Sequence, residues 1–383
     1  MKKLFFVIPI AIATVFIGLR SETAKADADL QINSRSAILL DYDSGTVIYS
    51  KNETDKLTIA SMTKIMLLNL CFEKLEDGEF SLSDKITVSK RASGMGGSQV
   101  FLEENKPYSA DQLLKSIVVA SANDASLAMA ERLFGSEENC VEAMNAKCKE
   151  WNLANTLFSN CTGLPKPTQY SCAKDVAIML KNLLSHKDYF NYSKIWIDEI
   201  EHEGGRKTEI NNTNKLIRFY EGCDGGKTGY TAESGFCLAS TAKRGAMRLV
   251  SVVIKATDSK ARFADSSALL NYGFENYNSK MVIDSSKPLD VTAKIEKGVK
   301  KSAEIVPERD LFVFAKKGDK EKISVDFKPN NAVAPIKKGD KLGELIVFKN
   351  NVEYGRVNAV SCCDIDEKTY FDYIKDIAQN WQI

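Results

Sequence analysis

A serine and a lysine three residues apart open an apolar helical run, in Thr58-Ile59-Ala60-Ser61-Met62-Thr63-Lys64. On a helix that spacing puts both side chains on one face, about 60° apart around the axis and ~4.5 Å along it. A serine hydroxyl is a poor nucleophile until a base takes its proton, and a neutral lysine can be that base. Free lysine titrates near ~10.4, so being mostly neutral at pH 7 needs a downward shift of more than ~3 units, about 4–5 kcal/mol. Burial lowers a lysine pKa, and a second cation nearby pushes the same way. The pair is a weak signal alone, because Ser-x-x-Lys occurs at Ser61/Lys64, Ser171/Lys174 and Ser240/Lys243. Ser-x-Asn occurs at Ser121-Ala122-Asn123 and again at Ser50-Lys51-Asn52. Lys227-Thr228-Gly229 occurs once, inside Gly225-Gly226-Lys227-Thr228-Gly229-Tyr230-Thr231 at the entry to a strand. The order Ser-x-x-Lys on a helix, Ser-x-Asn before a helix and Lys-Thr-Gly on a strand selects Ser61, Lys64, Ser121, Asn123 and Lys227.

Other chemistries find little to work with. The 383 residues carry 52 Lys and Arg against 51 Asp and Glu, so no excess of positive charge points to nucleic acid. The two histidines, His186 and His202, stand apart in polar, loop-like surroundings, which argues against a histidine-based triad. No run of His, Cys, Asp and Glu at ligand spacing suggests a metal, and no cofactor is expected. The nine cysteines are odd in number and none sits in a Cys-x-x-Cys. They read as buried small hydrophobes rather than a disulfide framework or nucleophile.

The elements that must position these residues follow from patterning. Lys2-Lys3, the apolar run Leu4 to Leu19 and Ala24-Lys25-Ala26 have the layout of a secretory signal peptide, residues 1–26. With Pro9 inside it, the run falls short of the ~20 residues a spanning helix needs. Extracytoplasmic, secreted localisation follows. A catalytic domain is expected over 27–281. It begins with a strand, a turn at Asp43-Ser44-Gly45 and a second strand. Helices are expected over Met62–Leu75, after a capping box at Ser109–Gln112, over Asp124–Leu133, from Ser136 through Trp151, and from Ser171 through Leu184. Strands at Phe236–Thr241 and Arg248–Ile254 and a helix over Ser259–Tyr277 follow. This order predicts an α+β fold: one antiparallel sheet with edges from both ends of the domain, flanked by helices. Residues 282–363 switch to short alternating strands, with a hairpin turning at Asn350-Asn351, and form a small all-β domain. The tail, 364–383, places Tyr370, Phe371, Ile374, Ile377 and Trp381 on one helical face. It reads either as a peripheral membrane contact or as a helix docked on its own protein. Its charges, net −3, oppose anionic lipid.

The three ordered motifs are those of penicillin-binding proteins and class A β-lactamases. More narrowly, the chain resembles the low-molecular-mass penicillin-binding proteins that are serine D-Ala-D-Ala carboxypeptidases. The supporting stretches are Ile59 to Lys64, Ser121-Ala122-Asn123-Asp124-Ala125-Ser126, Asn160-Cys161-Thr162-Gly163-Leu164 and Gly226 to Thr231. Ile59 stands where the family often has proline, and the tail is more acidic than usual. The resemblance implies that Ser61 attacks the carbonyl between two D-alanines of a peptidoglycan stem peptide while Lys64 accepts its proton. Ser121 would relay a proton to the leaving amine, and Asn123 would hold the substrate amide. Lys227 would lower the proton affinity of the lysine–serine cluster and attract an anionic substrate, and Thr228 would hydrogen-bond the terminal carboxylate, helped by Arg262. Gly229 and Tyr230 belong to the same substrate-binding stretch, and backbone N–H groups of Ser61 and Tyr230 would form an oxyanion hole. Gly96-Gly97-Ser98-Gln99 matches a loop beside the site. β-Lactam antibiotics would be covalent inhibitors. No glutamate lies between Trp151 and Asp198, where a β-lactamase would hold its deacylating water. A D-Ala cross-link endopeptidase remains open beside the carboxypeptidase. A β-lactamase or a non-catalytic wall-binding sensor is less favoured.

Overall fold

The computed structural model describes residues 30–380, so the expected signal peptide and Trp381 lie outside the described residues. A hairpin of β1 (Ser36–Asp41) and β2 (Val47–Lys51) leads through a 3₁₀ turn at Ala60–Thr63 into α1 (Lys64–Glu76). Strand β3 (Lys85–Thr87), helix α2 (Lys90–Ser93) and strand β4 (Pro107–Ser109) frame a long loop. Helices α3 (Ala110–Val119), α4 (Asn123–Phe134), α5 (Glu137–Glu150), α6 (Ala173–Leu183) and α7 (Tyr189–Ser193) follow. Hairpin β5 (Ile197–Glu201) and β6 (Lys207–Asn211) and the short α8 (Leu216–Phe219) precede three long strands. These are β7 (Cys223–Thr231), β8 (Gly235–Arg244) and β9 (Met247–Ala256), and α9 (Ser259–Asn276) completes the unit.

The central sheet has the order β2-β1-β9-β8-β7, with every pair antiparallel. Its edges come from the N-terminal hairpin and from the late strands, as the patterning predicts. Both faces are covered, so β1 is buried at every position. Ile38 and Leu40 face the helical core around α1, α4 and α6. Ala37 and Leu39 face the other way and pack with Leu269, Leu270 and Phe274 of α9.

Local signals set most helix ends. Ser109 and Gln112 make the expected capping box on α3, Ser136 caps α5, and left-handed Gly135 ends α4. Three expectations need correction. The cap of α6 is Cys172, whose Sγ accepts from Asp175 N–H, because Ser171 is held back in an isolated bridge with Leu57. The histidines sit in loops, but both are buried. His186 stacks on Phe72 with ring centroids 5.9 Å apart. His202 bridges the Tyr108 hydroxyl at 2.7 Å and the Thr208 hydroxyl at 2.8 Å. The C-terminal helix starts at Tyr370 rather than Asp364, where the Thr369 hydroxyl accepts from Asp372 N–H at 3.4 Å.

Past α9 the chain becomes all-β. Strand β10 (Tyr277–Ile283) pairs with β13 (Leu311–Lys316). A six-stranded sheet contains β11 (Thr292–Glu296), β12 (Ser302–Pro307), β14 (Ile323–Pro329), β15 (Ala332–Val333), β16 (Lys341–Lys349) and β17 (Val352–Ser361). The β16–β17 hairpin turns at Asn350 and Asn351, both left-handed, a conformation asparagine tolerates. Tyr277 stacks on Phe314 at 5.0 Å and ties this region to the α9 core. Helix α10 (Tyr370–Asn380) ends the described chain.

Candidate active site

The 3₁₀ turn carries Ser61, and the first residue of α1 is Lys64. The turn is entered through Ala60 at φ 47°, a left-handed residue with a Cβ. Two glycines make room for this backbone. A Cβ at Gly163 would lie 2.0 Å from the Ala60 carbonyl oxygen, and one at Gly229 would lie 2.5 Å from that of Ile59. Gly229 is the glycine of Lys-Thr-Gly, so its first task is steric: any side chain there would push β7 off the serine turn.

Lys64 is fully buried. Its Nζ donates to Ser61 Oγ at 3.0 Å, to Asn123 Oδ1 at 2.7 Å and to the Thr162 carbonyl at 2.6 Å. Three acceptors match the three hydrogens of an ammonium. Burial nevertheless pulls its pKa from 10.5 down to about 7, against the opposing pull of Cys161 and Asp124. Near neutral pH a substantial fraction is therefore neutral, with a lone pair free to take the serine proton.

Lys227, on β7, is also buried, and its one hydrogen bond in the described structure is to the Thr228 carbonyl at 3.2 Å. Burial, then the charges of Lys64 and Arg262, hold its pKa well below the ordinary lysine value. Both lysines therefore sit where burial disfavours the charged form. Thr228 is buried and Tyr230 is 57% exposed, stacked on Phe236 at 4.3 Å. Arg262, on α9, donates to the Gly229 carbonyl at 3.3 Å and the Cys237 carbonyl at 3.4 Å, while its buried Nε has no partner among the described residues.

Ser121 sits just before α4 with φ 61°. It is buried, and its hydroxyl has no hydrogen-bond partner among the described residues. Asn123 is fixed at three points. Its Oδ1 faces Lys64, its Nδ2 donates to the Gly96 carbonyl at 2.7 Å, and its backbone N–H donates to the Ser98 carbonyl at 2.7 Å. A Cβ at Gly97 would come 2.7 Å from Asn123 Nδ2. The Gly96–Gln99 stretch therefore wraps the Ser-x-Asn motif.

Two functional groups escaped the sequence reading. The Thr162 carbonyl that anchors Lys64 lies in Asn160-Cys161-Thr162-Gly163-Leu164, where sequence alone assigns no role to it. Asp124 follows Asn123 directly, and its buried carboxylate accepts from Val100 N–H at 3.1 Å, Leu102 N–H at 3.1 Å and Ala125 N–H at 2.9 Å. Burial raises its pKa and those backbone donors partly offset the rise. All nine cysteines are free, seven of them buried. Cys161 flanks the site, but burial pushes its thiol well above the ordinary range, so it is no thiolate nucleophile.

A serine on a strained turn, hydrogen-bonded to a buried lysine of lowered pKa and faced by a second buried lysine on a sheet edge, defines a serine acyl-transfer hydrolase of the penicillin-binding type. The sequence profile described as D-alanyl-D-alanine carboxypeptidase matches residues 21–258, and that of the penicillin-binding protein 5 C-terminal domain matches 277–367. The chain belongs to the D-alanyl-D-alanine carboxypeptidase family. It is 37% identical over 362 residues to D-alanyl-D-alanine carboxypeptidase DacF of Bacillus subtilis, covering 94% of this chain and 93% of that one. DacC of Escherichia coli is 31% identical over 388 residues, covering 96% and 94%. Penicillin-binding protein 5 from Haemophilus influenzae superposes with a TM-score of 0.69 at 28% identity, over 88% of this chain and 98% of that one. A penicillin-binding protein D2 from Listeria monocytogenes, solved with ampicillin bound, superposes with a TM-score of 0.58 at 26% identity, over 64% and 100%.

Proposed function

We propose that this protein removes the terminal D-alanine from peptidoglycan stem pentapeptides through an acyl-enzyme on Ser61. Ser61 Oγ attacks the carbonyl carbon of the penultimate D-alanine as Lys64 Nζ takes its proton. Ser121 passes a proton to the leaving amine, which departs as D-alanine, and water then hydrolyses the ester. Its unpartnered hydroxyl beside the motif suits a relay. Lys227 and Thr228, with Arg262, hold the terminal carboxylate. That carboxylate gives Lys227 a reason to hold a proton, and a charged Lys227 lowers the proton affinity of Lys64. Asn123 orients Lys64 and the substrate amide. Backbone N–H groups of Ser61 and Tyr230 stabilise the oxyanion, a kind of contact that typically costs about 2.7–4 kcal/mol when one donor is lost. A β-lactam follows the same path, and its acyl group stays on Ser61 because residues 151–198 supply no glutamate for a deacylating water.

The carrying observation is the 3.0 Å contact between the fully buried Lys64 Nζ and Ser61 Oγ. We place the work outside the cytoplasm, delivered by the leader at 1–26, with 27–281 as the catalytic domain and 282–363 as the β-rich domain. No helix among the described residues is long and apolar enough to cross a membrane. In α10, Phe371 is 79% and Ile377 60% exposed. An apolar face left open to water supports peripheral membrane contact over docking on the protein's own surface.

Mass spectrometry of the mature protein with penicillin, alongside diacetyl-Lys-D-Ala-D-Ala, tests this reading. A stable single adduct on the Ser61 peptide and release of D-alanine are expected. An adduct without release moves the assignment to endopeptidase or sensor, and rapid adduct loss with drug hydrolysis moves it to β-lactamase.

A further inference from the structure

Phe101 combines two unfavourable features. Its φ is 61°, in the left-handed region, and its ring is 55% exposed although Val100 and Leu102 on either side are buried. A position free to choose would hold glycine or asparagine in that conformation. Such outliers persist where the surroundings over-determine them, and they gather at ligand-contacting sites.

The surroundings here clamp the backbone from two sides. Below, the buried Asp124 carboxylate accepts from Val100 N–H and Leu102 N–H, each at 3.1 Å. Above, Arg206 reaches across from the β5–β6 hairpin and donates to the Phe101 carbonyl at 2.7 Å and to Glu103 Oε1 at 2.8 Å. The same loop supplies the Gly96 and Ser98 carbonyls that fix Asn123. The segment that locks Asn123 against Lys64 thus also displays an aromatic ring to solvent, two residues past Gln99. The clamp holds the backbone and leaves more than half of the ring exposed.

We propose that Phe101 is a specificity-determining residue that packs against the aliphatic side chain of the residue preceding D-Ala-D-Ala in the stem peptide. A flat apolar ring on a rigid loop suits a run of methylenes and gives a short side chain nothing to cover. The proposal rests on the carboxypeptidase reading above.

The test compares kcat/KM for diacetyl-Lys-D-Ala-D-Ala with that for acetyl-Gly-D-Ala-D-Ala, in the wild-type protein and in Phe101→Ala and Phe101→Leu. Phe101→Ala should lower the long-to-short ratio about tenfold, equivalent to ~1.4 kcal/mol, mostly through KM of the lysyl peptide. Phe101→Leu should keep the ratio within about threefold of wild type. An unchanged ratio in Phe101→Ala, or a fall carried by kcat on both peptides alike, overturns the proposal. A wild-type protein that releases D-alanine from neither peptide overturns the carboxypeptidase reading instead.

Discussion

Between the serine turn and α9 the chain buries Lys64, Ser121, Asn123, Asp124 and Lys227, whereas beyond Tyr277 Ser361 is the one buried polar or charged residue among the described residues. Left-handed residues with side chains include Ala60, Phe101 and Ser121 around the site; the β-rich region has Lys297, and Asn350 and Asn351 on a hairpin turn that suits them. Strand β11 there alternates cleanly, with Ala293 and Ile295 inward and Thr292, Lys294 and Glu296 outward. One region accepts buried lysines and forced dihedrals, which the proposed chemistry of a neutral lysine and a fixed hydroxyl would require. The other follows the rules of burial and turn chemistry with little departure, as expected where packing is the sole demand.

Substitutions should separate the two regions. The largest effect on turnover belongs to Ser61→Ala, which should abolish both D-alanine release and covalent penicillin labelling. Retained labelling would falsify the nucleophile assignment. Lys64→Arg should also abolish acylation, since an always-charged guanidinium cannot take the proton; normal acylation in that variant would remove Lys64 from the role of base.

With Lys64 titrating at about 7, the acylation rate should climb roughly tenfold per pH unit below that value and level off above it. A profile flat from pH 5 to 9 would mean the proton goes elsewhere. The sign for stability follows from the same shift. Below about 7 folded and unfolded chains both hold the proton, and between there and 10.5 only the unfolded chain does. The contribution of Lys64 to stability therefore rises with pH across that window.

The β-rich region should respond in the opposite sense. Ile305→Ala, at a fully buried position, should cost about 2–5 kcal/mol of stability and lower Tm while leaving kcat on a soluble peptide within about twofold. A loss of kcat in the folded variant would show that the two regions are coupled. Smallest in solution is removal of α10. Ending the chain at Thr369 should leave peptide turnover unchanged and abolish binding to lipid vesicles, and equal vesicle binding with and without the helix would sink the membrane assignment.

Much of the site can be read along the chain because its chemistry is carried by short local patterns. Ser61 and Lys64 are helix neighbours, Ser121 and Asn123 flank a helix start, and Lys227 to Gly229 share one strand. The capping box at Ser109, the left-handed stop at Gly135 and the Asn350-Asn351 turn are local too, and each formed where its residue types place it. Where the reading slipped, a distant contact had decided the matter. Ser171 lost the helix cap to Cys172 because its backbone pairs with Leu57. The sequence neighbours of His202 are polar, yet it is buried and hydrogen-bonded to Tyr108 and Thr208, the first of them 94 residues away. The sequence by itself determined the α+β fold class, the main helices and the switch to a β-rich C-terminal region, and it singled out the groups proposed to react. The tertiary structure alone decided that the Thr162 carbonyl meets Lys64 across 98 residues, that Gly163 and Gly229 close on the serine turn, and that Asp124 and Arg206 hold Phe101 out to solvent. Spacing along a chain fixes what neighbours share, whereas the desolvation that turns a lysine into a base depends on everything the fold brings around it.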